Sequence, residues 1–263
     1  MSKRAKACYA LAAASFLLGM ALPLLLPAGA LRKVLDGGSF YIQYAYVGVR
    51  EVLMLGLPAL FIYMKSPVSL QELKRCMQPG TAYTNGIVML SAVAFTMTGV
   101  LINMVWMAFL SRYGVPPIES ALANPASAPE YAVAFLMAAV LPAVSEEVLF
   151  RGLLQGAIAR RRGTRAAIWI TAVVFALAHA AVQSFAVILV IGLFLGALAV
   201  RYDSLFPGVL FHTVYNASAM VIMAEGKNIT LTSITLCTVV FSVTAYLLLK
   251  KEGKPDGTDR FRV

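Results

Sequence analysis

Apolar runs of about twenty residues recur along almost the whole chain, and no other feature limits its fold so tightly. Segments 7–26, 41–64, 84–110, 130–159, 166–182, 184–200, 205–224 and 229–249 each approach the length at which a helix crosses a bilayer. Charged residues make up only 13% of the 263-residue chain, against about 25% in a soluble domain. The expected fold class is therefore all-α, a polytopic transmembrane helical bundle of eight spans. Prolines and glycines mark the joints, as at Pro27-Ala28-Gly29, Pro79-Gly80 and Pro116-Pro117. Three parts follow: 1–129 with three spans and long loops, 130–224 with a core of spans, and 225–263 with the last span and a polar cytoplasmic tail.

The basic start Met1-Ser2-Lys3-Arg4-Ala5-Lys6 and the sequence Ala28-Gly29-Ala30 resemble the ends of a signal peptide. The apolar run between them suits a span better than a signal core, so the first helix is expected to be retained. Sorting Lys and Arg by loop puts sixteen on one side and four on the other, with Arg160, Arg161, Arg162 and Arg165 in the heaviest internal loop. The positive-inside rule then assigns both termini to the cytoplasm. The expected location is the plasma membrane of a prokaryote. This distribution also accounts for the net charge of +10 without nucleic acid as a partner. Cys8, Cys76 and Cys237 are far apart and odd in number, which fits neither a disulfide framework nor a thiolate zinc site.

Polar groups left inside the spans define where chemistry can occur. They are Arg50 and Glu51, Glu146, Glu147 and Arg151, His179, and His212 with Asn216; both histidines of the chain are among them. A charge at the centre of a span costs roughly 2.5–3.5 kcal/mol on insertion scales. In an α-helix Glu147 and Arg151, four apart, share a face and can neutralise each other. Glu146 is turned about 100° from Glu147 and points elsewhere. Pro142, one turn earlier, removes a helical hydrogen bond and is expected to kink the helix. Phe175 and His179 share one face, His212 and Asn216 another. At ~1.5 Å per residue, Glu146, His179 and Asn216 fall at comparable depth, which suggests one site opening to the cytoplasm. Arg50 and Glu51 each need a partner elsewhere, and a supporting role near the site is the reading for both. Gly192-x-x-x-Gly196 is read as a close contact between helices of the same chain.

A carboxylate and two imidazoles can activate water, with Glu as general base, or ligate a divalent metal such as zinc. No H-E-x-x-H, G-x-S-x-G or pair of intramembrane aspartates is present. A proton-coupled transporter using Glu146, His179 and Glu51 as a relay is the competing class, and a non-catalytic immunity or scaffold protein is a third.

The ordered set Glu146-Glu147-x-x-x-Arg151, Phe175-x-x-x-His179 and His212-x-x-x-Asn216, with Ser204-Leu205-Phe206-Pro207 leading into the last, resembles a known signature. It is that of the CAAX prenyl endopeptidase and bacteriocin-processing family of intramembrane proteases, which includes the type II CAAX proteases and the abortive-infection proteins. The resemblance covers about residues 130–220. It implies that Glu146 activates water with help from His179, that His212 and Asn216 bind the scissile carbonyl or its oxyanion, and that Glu147 and Arg151 orient the site. Glu146, His179 and His212 either hold zinc or work without it. The implied partners are the lipid bilayer and a membrane-anchored peptide or protein substrate.

Overall fold

The structure is a computed structural model that describes residues 10–19, 21, 39–64, 77–117, 124–225 and 229–250. Every regular element among these residues is helical. In chain order they are α1 (Ala10–Gly19), α2 (Phe40–Tyr63), α3 (Ala82–Tyr113), α4 (Ala128–Arg162) and α5 (Thr164–Ala178). After a 3₁₀ turn at Val182–Ser184 come α6 (Phe185–Tyr202), α7 (Phe206–Glu225) and α8 (Leu231–Leu249). Among the described residues, five helices are long and apolar enough to cross a membrane: α2, α3, α4, α6 with its leading turn, and α8. The expected cleavage-like sequence Ala28-Gly29-Ala30, Cys8, Cys76 and the polar tail beyond Lys250 lie outside the described residues.

Helix boundaries follow local chemistry. Thr81 caps α3 by accepting from the Thr84 N–H at 3.1 Å. Thr230 and Ser233 form a reciprocal capping box at the start of α8. Ser204 Oγ accepts from the Phe206 N–H at 3.2 Å, opening α7 just after Asp203, whose φ of 47° ends α6. An aspartate tolerates that left-handed conformation better than most residues.

The clearest departure from expectation is the end of α5. Its apolar run continues to residue 182, but the helix stops at Ala178 and His179 is its C-cap. Ala180 then takes a φ of 52°, which breaks the helical ladder. Composition gives no sign of this, because Ala178, Ala180 and Ala181 are all good helix formers. The turn's exposed backbone is partly satisfied from α3, where Trp106 Nε1 donates to the Val182 carbonyl at 2.7 Å. The Gln183 side chain in turn donates to the Pro116 carbonyl at 3.2 Å.

Proline shapes two helices in the same manner. A π-helical segment at Val52–Gly56 precedes Pro58 in α2, and another at Phe135–Val140 precedes Pro142 in α4. Proline lacks an N–H and its ring crowds the carbonyl four residues back. A wider i→i+5 turn upstream accommodates both problems. The break expected at Pro142 takes this form. A third π segment, Glu147–Gln155, contains no proline and carries Glu147 and Arg151.

The chain divides into two compact units, residues 1–69 with 119–149, and residues 70–118 with 150–263. In the first, α2 packs along the early part of α4. An added Cβ on Gly48 would lie 2.6 Å from Met137 Sδ, so the two backbones approach closely there. In the second, α3, α6, α7 and α8 meet around an aromatic cluster. Phe95 lies 5.9 Å from Phe211, 5.5 Å from Tyr215 and 4.8 Å from Phe241, measured between ring centroids. Phe194 adds contacts at 4.9 Å to Phe211 and 5.4 Å to Phe241. Phe95 and Phe211 are completely buried. Phe95→Ala therefore opens a cavity at the junction of four helices and should cost about 3–5 kcal/mol. Thermal unfolding in detergent checks this; an unchanged midpoint would contradict a packed core at Phe95.

Candidate active site

In the first unit, Glu146 is the last residue of the α-helical stretch Leu141–Glu146, and Glu147 opens the π segment that follows. Glu146 is 6% exposed and Glu147 is completely buried. Ser145, also buried, directs its hydroxyl at Glu51 of α2, with Oγ 2.5 Å from Oε1.

In the second unit, the Phe175 ring is the hub. The Arg151 guanidinium lies over its face, with Cζ 4.2 Å from the centroid. Three aromatic rings meet Phe175 close to perpendicular: Phe150 at 5.1 Å, His179 at 4.7 Å and His212 at 6.1 Å. The positive edge and negative face of an aromatic ring favour both kinds of contact. Arg151, Phe175 and His212 are buried, while His179, at the open end of α5, is exposed. Asn216 lies one turn beyond His212 on α7 and is half-buried.

Arg151 and Gln155 also bond to the backbone of α6. Arg151 Nη2 donates to the Gly192 carbonyl at 3.2 Å, and Gln155 Nε2 donates to the Gly196 carbonyl at 3.0 Å. Two side chains four apart thus meet two carbonyls four apart. The glycines make room for this. A Cβ on Gly192 would fall 3.2 Å from Ala172 Cβ and 3.3 Å from Phe175 Cδ1, and one on Gly196 only 2.8 Å from Gln155 Oε1. The Gly192-x-x-x-Gly196 motif is a contact within the chain, as its spacing suggested. That Arg151 and Gln155 would dock on its carbonyls could not be read from helical spacing, since the partners are 41 residues apart.

The His179 ring is oriented from its own helix. Nδ1 lies 2.8 Å from the Phe175 carbonyl oxygen. A carbonyl only accepts, so Nδ1 carries the proton and, in the neutral ring, Nε2 is the acceptor. The strained residue Ala180 follows directly. A non-glycine residue in the left-handed region costs on the order of 1 kcal/mol, and such strain concentrates at functional sites.

The zinc reading of Glu146, His179 and His212 is not supported. Among the described residues, no group of three or more His, Cys, Asp or Glu side chains is gathered so as to hold a metal ion.

Two substitutions probe this arrangement in opposite directions. Phe175→Leu keeps apolar bulk but removes the π face beneath a buried guanidinium, and should destabilise the protein by about 2 kcal/mol. Ala180→Gly relieves the left-handed strain and should stabilise it by about 1 kcal/mol. Thermal unfolding of the purified variants measures both; a Phe175→Leu protein as stable as the parent would contradict the hub.

Comparison with known proteins adds a family. Residues 128–218 match the family model described as type II CAAX prenyl endopeptidase Rce1-like. No curated protein and no solved structure matches the chain. The matched segment begins with α4 and ends two residues past Asn216, so it contains every motif residue from Glu146 onward; α1, α2, α3 and α8 lie outside it. Through this segment, the chain is similar to the type II CAAX prenyl endopeptidases of that family.

Proposed function

We propose that the protein is an intramembrane endopeptidase that hydrolyses a peptide bond in a membrane-anchored protein or peptide. The observation that carries this reading is the family match over residues 128–218, which holds Glu146, Glu147, Arg151, His179, His212 and Asn216 together in one segment. Supporting it, the motif carboxylates Glu146 and Glu147 and the motif cation Arg151 are all buried, where charges persist only for a structural or chemical return.

The proposed reaction uses water as nucleophile. Glu146 takes a proton from water, and the resulting hydroxide attacks the scissile carbonyl carbon. His179, with its proton on Nδ1, offers Nε2 to orient the water. His212 and the Asn216 amide donate to the oxyanion that develops on the carbonyl. Collapse of the tetrahedral intermediate breaks the C–N bond, and the proton held by Glu146 passes to the leaving amine. The products are a new C-terminal carboxylate and a free amine. Glu147 and Arg151 hold the helix that presents Glu146.

The proposed topology is eight spans with both termini in the cytoplasm and the basic turn at Arg160–Arg165 on the same side. It is supported by the five span-length and three shorter apolar helices among the described residues and by the sixteen-to-four division of basic residues.

Glu146→Gln should lower kcat by about 10²–10⁴-fold, and Asn216→Ala by about 10²–10³-fold, each with the substrate still bound. Mass spectrometry of membrane-tethered peptides, prenylated and unprenylated, incubated with purified protein in vesicles checks both. Undiminished cleavage by Glu146→Gln, or proton-driven uptake with no cleavage, would overturn the reading.

A further inference from the structure

Glu51 is a carboxylate within an apolar helix, lies outside the family segment, and has no part in the reaction just described. Its contact with Ser145 ties it to the residue immediately before Glu146. Ser145 Oγ also lies 2.9 Å from the Leu141 carbonyl and 3.3 Å from that of Pro142. A serine that bonds back only to its own helix tends to bend it. Here the same hydroxyl reaches across to α2 as well.

Both ends of this link sit where a helix changes pitch. Glu51 is the last α-helical residue before the π segment Val52–Gly56. Ser145 is one residue short of the switch from Leu141–Glu146 to the π segment at Glu147. At such a switch the direction of each side chain changes with the turn that carries it, so a fixed point outside the helix has leverage. The seam supports that point. One turn before Glu51, a Cβ on Gly48 would lie 2.6 Å from Met137 Sδ and 3.8 Å from Leu141 Cδ2; Leu141 in turn is one turn before Ser145. Gly48 facing Leu141 and Glu51 facing Ser145 are thus successive turns of a single α2–α4 contact.

We propose that Glu51, acting through Ser145, is a positioning residue that fixes the direction of the Glu146 carboxylate. The catalytic part of this assignment rests on Glu146 being the general base, whereas the orienting part does not. The Glu51 carboxylate accepts from the Ser145 hydroxyl, the hydroxyl anchors the last α-helical turn of Leu141–Glu146, and Glu146 leaves that turn with its direction set.

The test uses the full chain in vesicles with Glu51→Ala, Glu51→Gln, Ser145→Ala and Ser145→Thr. Glu51→Ala and Ser145→Ala should each lower kcat about tenfold with KM unchanged, and the double variant should be no worse than either, because the two residues act through one contact. Glu51→Gln keeps an acceptor oxygen and Ser145→Thr keeps the hydroxyl, so both should stay within about threefold of the parent. A second readout needs no activity. The infrared carboxyl band of Glu146, assigned by difference with Glu146→Gln, should shift in the two alanine variants and stay in place in Glu51→Gln and Ser145→Thr. An unmoved band in the alanine variants, or losses in kcat that multiply in the double variant, would overturn the proposal. If an alanine variant does not fold, a Glu146 band in Ser145→Val that matches Ser145→Thr would overturn it equally. A parent protein that cleaves nothing while its Glu146 band still responds to Glu51 would bring down the endopeptidase reading alone.

Discussion

A completely buried arginine is the constraint on which the second unit depends. The guanidinium of Arg151 cannot shed its charge, and a desolvated cation is stable only where an opposite charge or fixed dipoles replace water. The structure supplies the Phe175 face and the Gly192 carbonyl for this purpose. Each demands something further. The carbonyl is reachable only because Gly192 lets α6 lie against Ala172 and Phe175 of α5. The ring, held from below by the cation, presents its surroundings to His179 and His212. Solving the burial of one charge therefore brings α4, α5, α6 and α7 to a common point, and that point is where both histidines lie.

Helical pitch is the second organising factor. Three π segments occur in α2 and α4. Two accommodate proline. The third begins at Glu147 without one, and it separates Glu146 from Glu147 by a change of helix type as well as by rotation. Single-turn π segments inside α-helices are frequent at functional sites because they redirect side chains without ending the helix. Glu146 closes one kind of turn and Glu147 opens another, so the direction of Glu146 depends on how that junction is held. Ser145 and Glu51 meet at that place.

Much of this was legible in the sequence, for identifiable reasons. Long apolar runs specify helices through hydrophobicity alone, and among the described residues α2, α3, α4, α6, α7 and α8 lie within about three residues of the segments read from composition. His212 and Asn216 share α7 because four-residue spacing is a local property. The end of α5 was not legible, since it rests on the left-handed conformation of an alanine that differs in no way from its helical neighbours. Nor were the π segments, one of which widens the helical turn that carries Glu147 and Arg151. The contacts of Arg151 and Gln155 with Gly192 and Gly196, and of Ser145 with Glu51, join residues 41 and 94 apart. Periodicity shows which face a residue occupies but not which helix covers it.

The central claim is that a buried glutamate in α4 activates water to cut a peptide bond. Its most direct test is cleavage of a membrane-tethered peptide in ¹⁸O-labelled water, with the products weighed by mass spectrometry. The parent protein should leave one labelled oxygen in the new C-terminal carboxylate, and Glu146→Gln should leave the peptide whole although it still binds it. Equal cleavage and labelling by the parent and by Glu146→Gln would contradict the account.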